Sequence, residues 1–254
     1  MMKTIILLGL LILFLVSVQF AGAQTVDEVI DKYVAARGGK EKLNSIKSVY
    51  MEGSREMMGA EVTVKITKEQ DKLSRTEFEM AGSTGYFLVT DKEAWTLIPM
   101  RSPTPTKIPD ESLAGMQTET DIFGPLVDYV TKGHKVELIG KDTLNGSLSY
   151  KIKLTTKVGK EINYWIDGTT YLLVQSSAKG GGMFGGGGRR TGAGAGEPAE
   201  VITLYKDYKD VGGVQFPHTV EMKTSGGEGR GGGGTTFDLI EVNKPVDAKL
   251  YNHQ

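Results

Sequence analysis

From about Val49 onward, apolar and polar residues alternate with a period of two. Val62, Val64 and Ile66 alternate with Thr63, Lys65 and Thr67, and Leu148, Tyr150, Ile152 and Leu154 alternate with Ser149, Lys151, Lys153 and Thr155. Successive side chains of a strand point to opposite faces, so each run predicts a strand with one dry face and one wet face. Comparable signals predict strands over residues 73–80, 85–91, 94–98, 162–166, 172–177, 201–206, 214–223 and 236–242. Asn145-Gly146 and Asp167-Gly168 suit tight hairpin turns whose central residues need positive φ. Successive hairpins make an antiparallel meander.

Ahead of the strands the period is helical. Val26, Val29, Ile30, Tyr33 and Val34 share one helix face, Thr25 and Glu28 have capping-box spacing, and Gly38-Gly39 stops the run. A second short turn through Leu43 and Ile46 leads into the strands. The meander is interrupted in the middle. Pro99, Pro103, Pro105 and Pro109 predict an irregular loop, because each removes a backbone donor and fixes φ. Beyond it, Leu113 and Met116 fit one face of a short helix, and Pro125 suits the first turn of another carrying Leu126, Val127, Tyr129 and Val130 as far as Gly133. Helices set between runs of antiparallel strands define an α+β domain in which they cover one face of a curved sheet.

The N-terminus changes the picture of where this domain works. Lys3, the apolar run from Ile5 to Phe20 and the small residues Ala21-Gly22-Ala23 predict a signal peptide over residues 1–23 that is cleaved on export. Residues 24–254 are then expected to form a single soluble domain with no transmembrane anchor. The chain has no cysteine, which excludes disulfides, thiolate metal ligands, a cysteine nucleophile and lipid attachment to cysteine. Its formal net charge of −1 carries no basic surplus for nucleic acid.

Two glycine-rich stretches, residues 180–196 and 226–234, fall between predicted strands. In a meander they leave the sheet at the same end, and their composition predicts flexible loops. Neither has the G-x-x-x-x-G-K-[ST] spacing of a phosphate loop.

Chemistry-bearing patterns are sparse. His134, His218 and His253 form no paired zinc motif, and no G-x-S-x-G elbow presents a serine. The acid pairs Asp27/Asp31 and Asp207/Asp210 read as surface charge, and Asn145-Gly146-Ser147, a formal glycosylation acceptor, is explained by its turn. The expectation is a protein that is not an enzyme and needs no cofactor or metal. Trp95, Met100, Met116, Phe123 and Tyr129 cluster around the loop-and-helix insert. Adaptable methionines and large aromatics under a covering insert make these five the candidate lining of an acyl-chain cavity.

The order of features along the chain resembles one family. A leader, a helix ending in Arg37-Gly38-Gly39, a strand opening Ile46-Lys47-Ser48-Val49, and Tyr164-Trp165-Ile166-Asp167 followed by Leu172-Leu173-Val174 occur in that sequence. Tyr205-Lys206-Asp207-Tyr208, then Gly212-Gly213-Val214-Gln215-Phe216-Pro217, and a terminal Val242-Asn243-Lys244-Pro245-Val246-Asp247 follow. This resembles outer-membrane lipoprotein-sorting proteins of the LolA/LolB-like superfamily. The resemblance implies a strongly curved, incompletely closed antiparallel half-barrel covered by helices. It also implies a periplasmic role in binding an acylated lipoprotein or lipid. Two alternatives stand beside it: a lipid-sensing or envelope-assembly module with a protein partner, and an envelope hydrolase using a residue such as Asp207 or His134.

Overall fold

A capping box starts the first helix, α1 (Val26–Ala36). The Glu28 amide donates to Thr25 Oγ1 at 3.2 Å, and the Thr25 amide donates to Glu28 Oε2 at 3.1 Å. Val29, Ile30 and Tyr33 form its buried stripe. We predict that Thr25→Ala costs about 1 kcal/mol, the usual worth of an N-cap, read as a lowered urea midpoint with unchanged m-value. The helix stops where Gly38 takes φ +127°; a Cβ there would sit 2.4 Å from the Gly213 carbonyl oxygen. A short helix α2 (Lys40–Ser45) then buries Leu43 and delivers the chain to the sheet.

The computed structural model describes residues 24–57, 59–80, 82–179, 200–224 and 233–253. The leader, the first glycine-rich stretch and residues 226–232 of the second lie outside the described residues. Gly233 and Gly234 open a strand instead of belonging to a loop.

Thirteen antiparallel strands are described, with β1–β6 at Ser48–Met57, Ala60–Glu69, Leu73–Met80, Ser83–Thr90, Ala94–Leu97 and Thr106–Lys107. Strands β7–β13 follow at Lys135–Leu144, Ser147–Thr155, Glu161–Asp167, Leu173–Lys179, Glu200–Val211, Val214–Thr224 and Gly233–Val242. The spatial order is β6-β5-β4-β3-β2-β1-β13-β12-β11-β10-β9-β8-β7. Among the described residues β6 and β7 are the two edges and do not pair with each other, so the curved sheet is an incompletely closed half-barrel. Its N-terminal and C-terminal halves meet at one seam, β1 against β13. Lys179 pairs with Glu200, Val201 with Thr224 and Met222 with Gly233, so both glycine-rich segments leave from adjacent strands at one end.

Two local expectations are corrected, and one strand, β7, was not expected. The proline-rich loop contains β6, which pairs Thr106 with Thr96 and Lys107 with Trp95. Strand β7 carries a weak apolar pattern because its register shifts between Leu138 and Gly140. The segment after Pro125 is a run of turns, not a helix. Asp128 adopts φ +53°, and a left-handed residue ends an α-helix after a single turn. Lys40 pairs with the Asp128 carboxylate at 2.7 Å, and Leu126 and Val127 are buried in the core. The helix expected around Leu113 and Met116 is present as α3 (Asp110–Met116), continued by a 3₁₀ turn over Gln117–Thr120.

The main core lies on the concave face, where α1 packs over Val49, Ile152, Leu154, Ile166 and Val214. A smaller core occupies the opposite face of β3–β5. There Leu73, Tyr86 and Leu88 are covered by Val246, Leu250 and Tyr251 of the C-terminal segment.

Candidate functional site

Between the concave face, α1 and the segment around Phe123 lies a cavity of about 390 Å³. That is toward the lower end of the ~300–1,000 Å³ typical of small-molecule pockets. Strand alternation determines which residues face it. Met51 sits opposite Ile66, and both line the cavity, as do Val49 and Val64. Val201, Thr203 and Tyr205 continue the lining on β11. At Asp207 the backbone turns to φ +53°, and the phase of the strand changes. Tyr208 therefore faces inward, while Asp207 accepts a hydrogen bond from Thr219 Oγ1 at 2.7 Å on the exposed side.

One part of the wall is polar in an organised way. Tyr33, Tyr164, Tyr205 and Tyr208 all line the cavity. Tyr205 and Ser176 hydroxyls lie 3.1 Å apart, and Tyr208 donates to the Leu173 carbonyl at 2.8 Å. Burial pushes the phenols of Tyr164, Tyr205 and Tyr208 above their ordinary range, so they stay neutral. Beside them Arg37, 6% exposed, donates from Nε to the Gln215 carbonyl at 2.7 Å and from Nη1 to Tyr33 Oη at 2.8 Å. Its guanidinium lies 5.5 Å from the Phe123 ring centroid and 5.9 Å from that of Phe216. Glu119 and Asp121 stand on the same wall. Asp121 is held by Lys132 at 2.6 Å.

Of the five residues proposed from sequence, Phe123 lines this cavity, its ring 5.9 Å from that of Phe216. Tyr129 packs against the same core, but its hydroxyl bonds Asp27, and that bond pushes its pKa up to about 12. Met116, at the end of α3, is half-buried outside the lining, and Met100 is 71% exposed. Trp95 sits on the opposite face, because it pairs with Leu88 and shares that residue's side of the sheet. It stacks on His253 with ring centroids 3.8 Å apart. His134 accepts a hydrogen bond from the Lys157 amide at 3.1 Å and, like Asp207, does not line the large cavity.

Arg37 and the four tyrosines are not among the residues expected from sequence to line the cavity. Two signals were available: Tyr33 and Arg37, the C-cap of α1, are spaced i, i+4, and Tyr205 continues the alternation of Val201 and Thr203.

These features define a class: an open antiparallel half-barrel whose concave face holds a cavity beneath an N-terminal helix. No protein-family model and no curated protein sequence matches the chain. Solved structures do. A LolA superfamily protein from Nitrosomonas europaea superposes with a TM-score of 0.55 at 12% identity, covering 91% of this chain and 98% of that one. A DUF1329 family protein from Desulfovibrio piger gives 0.56 at 13%, again over 91% and 98%. A putative outer membrane lipoprotein-sorting protein domain from Vibrio parahaemolyticus gives 0.55 at 12%, over 89% and 95%. The chain shares its fold with these three structures.

Proposed function

We propose that residues 24–254 act, after removal of the leader, as a single periplasmic, non-enzymatic domain that binds an acyl chain of a lipid or lipoprotein during outer-membrane lipoprotein sorting. The observation that carries this reading is the cavity of about 390 Å³ under the curved sheet, walled by Val49, Met51, Val64, Ile66, Phe123 and Phe237. Transferring acyl methylenes from water to such a wall is worth about 0.8 kcal/mol each. The shared fold supports it, since one of those structures is of a putative outer membrane lipoprotein-sorting protein domain.

Ala178 lines the cavity on β10 and is only partly buried, so Ala178→Trp fills the space from a tolerant position. Protein purified gently from the periplasm and examined by native mass spectrometry should carry an acylated ligand that denaturing extraction releases. The Ala178→Trp protein should fold normally and lose that ligand at least tenfold. Wild-type protein that is lipid-free and takes up no added acyl probe overturns the reading and directs attention to a protein-interaction role in the envelope.

A further inference from the structure

The polar end of the cavity holds a cation that forms no ion pair among the described residues. Arg37 is 6% exposed, and no carboxylate among the described residues lies within 4.0 Å of it to form an ion pair. A guanidinium offers five N–H donors and cannot neutralise itself by losing a proton. Two of its nitrogens are occupied, Nε by the Gln215 carbonyl and Nη1 by Tyr33 Oη, and Nη2 has no hydrogen-bond partner among the described residues. Tyr33, having accepted from Arg37, keeps its own proton to donate. Phe123 and Phe216 near the guanidinium compensate the buried charge only in part. Glu119 shares the wall but makes no ion pair with Arg37.

The rest of the cavity runs away from this cation along the strands. Tyr208 marks the Arg37 end of the β11 wall and Val201 the other, a span of about 20 Å at ~3.3 Å per residue. One leaflet of a bilayer's hydrocarbon core is about 15 Å deep, so this length accepts a single extended acyl chain.

We infer that the cavity takes a single-chain amphiphile bearing an oxyanion, a carboxylate or a phosphate, with the anion held by Arg37 and Tyr33 and the tail lying toward Thr203 and Val201. This rests on the acyl-binding reading and narrows it, because an ester or amide group at the end of an acyl chain is itself uncharged and would leave Arg37 without an anion. A charge-assisted, two-donor contact is worth tenfold or more in affinity.

The test is calorimetric titration of delipidated mature protein at pH 8 with hexadecanoate, hexadecyl phosphate and uncharged 1-hexadecanol. We expect one or both anions to bind at least tenfold more tightly than the alcohol, and the comparison between the two anions identifies the head group. Arg37→Met should shrink the affinity gap between anion and alcohol to less than about threefold, and Arg37→Lys should restore part of the gap. Glu119→Gln should not weaken anion binding. Equal affinity of wild-type protein for anion and alcohol overturns the inference while sparing the acyl-binding reading; no binding of any of the three overturns both. The wild-type comparison decides the matter even if the Arg37 variants fold poorly.

Discussion

Raising the pH from 8 to 12 is expected to unfold this protein cooperatively, with tyrosine ionisation as the cause. Burial holds the phenols of Tyr164, Tyr205 and Tyr208 above the ordinary value near 10. Tyr50 and Tyr251 are raised by burial first and then by hydrogen bonds to Glu52 and Glu69, while Tyr129 is raised to about 12, chiefly by its bond to Asp27. A group that holds its proton more tightly when folded contributes stability that is complete below the unfolded pKa. That contribution disappears as pH rises through the folded value, so the loss begins near pH 10, the unfolded value, and is complete once pH has passed the raised folded values. Each pH unit above the unfolded value over which a buried phenol keeps its proton removes about 1.4 kcal/mol, so several such groups together draw heavily on the ~5–15 kcal/mol that stabilises a typical domain. Tyrosinate absorbance near 295 nm should rise slightly at first from Tyr171, whose hydrogen bonds with Gln24 and Lys32 hold it below the ordinary value, and then in one sharp step from the raised set, coincident with loss of far-ultraviolet circular dichroism. Tyr164→Phe should move that step to higher pH, since its hydroxyl has no hydrogen-bond partner among the described residues and little is lost with it. A single smooth titration with the dichroism intact would show that these rings are not held as described.

The sheet was legible because its signal is local. Val62, Val64 and Ile66 need only a wet face and a dry face to announce a strand, and Asn145-Gly146 needs only its own φ preference, realised here as +49° and +83°. The capping box at Thr25 and Glu28 is local in the same sense. The signal failed where backbone geometry changed within an element. Asp128 and Asp207 both take positive φ, one breaking a helix and the other reversing the phase of a strand, and no residue-type pattern marks either position.

The site was less legible because it depends on which face of a strand turns inward. Trp95 and Phe123 were grouped by closeness in sequence to the insert, yet the pairing of Trp95 with Leu88 puts it on the far side of the sheet under the C-terminal segment. Phe123 comes from the segment that crosses the concave face and so reaches the cavity. Arg37 ends a helix in a stretch that reads as a stop signal, and its burial follows from the meeting of that helix end with the β11–β12 turn. The Gln215 amide donates to the Arg37 carbonyl at 2.9 Å and Arg37 Nε returns a bond to the Gln215 carbonyl, a contact across 178 residues that no local pattern encodes.

Gly53→Val is expected to be the most damaging single substitution at the seam of the sheet. Strand β1 pairs Glu52 with Leu239 but Gly53 with Phe237, so one extra residue of β13 bulges beside Gly53. A Cβ at position 53 would lie 1.9 Å from the Thr236 carbonyl oxygen and 2.7 Å from the Phe237 Cα. Both obstacles are backbone atoms, and no rotamer change relieves them. In the described sheet, β1 against β13 is the junction between the β6–β1 half and the β13–β7 half, so separating the strands opens the concave core along its middle. Mutational costs above about 4 kcal/mol come from mechanisms of this kind. That corresponds to a fall in Tm of about 8–16 °C for a domain of this size, if the variant folds at all. Gly115→Ala is the control. It lies within α3 with nothing within 4 Å of the added Cβ, and should stabilise by up to ~1 kcal/mol through reduced backbone entropy. If Gly53→Val melted within 2 °C of wild type, the bulge would have to relax in solution and the seam could not be the rigid junction between the two halves.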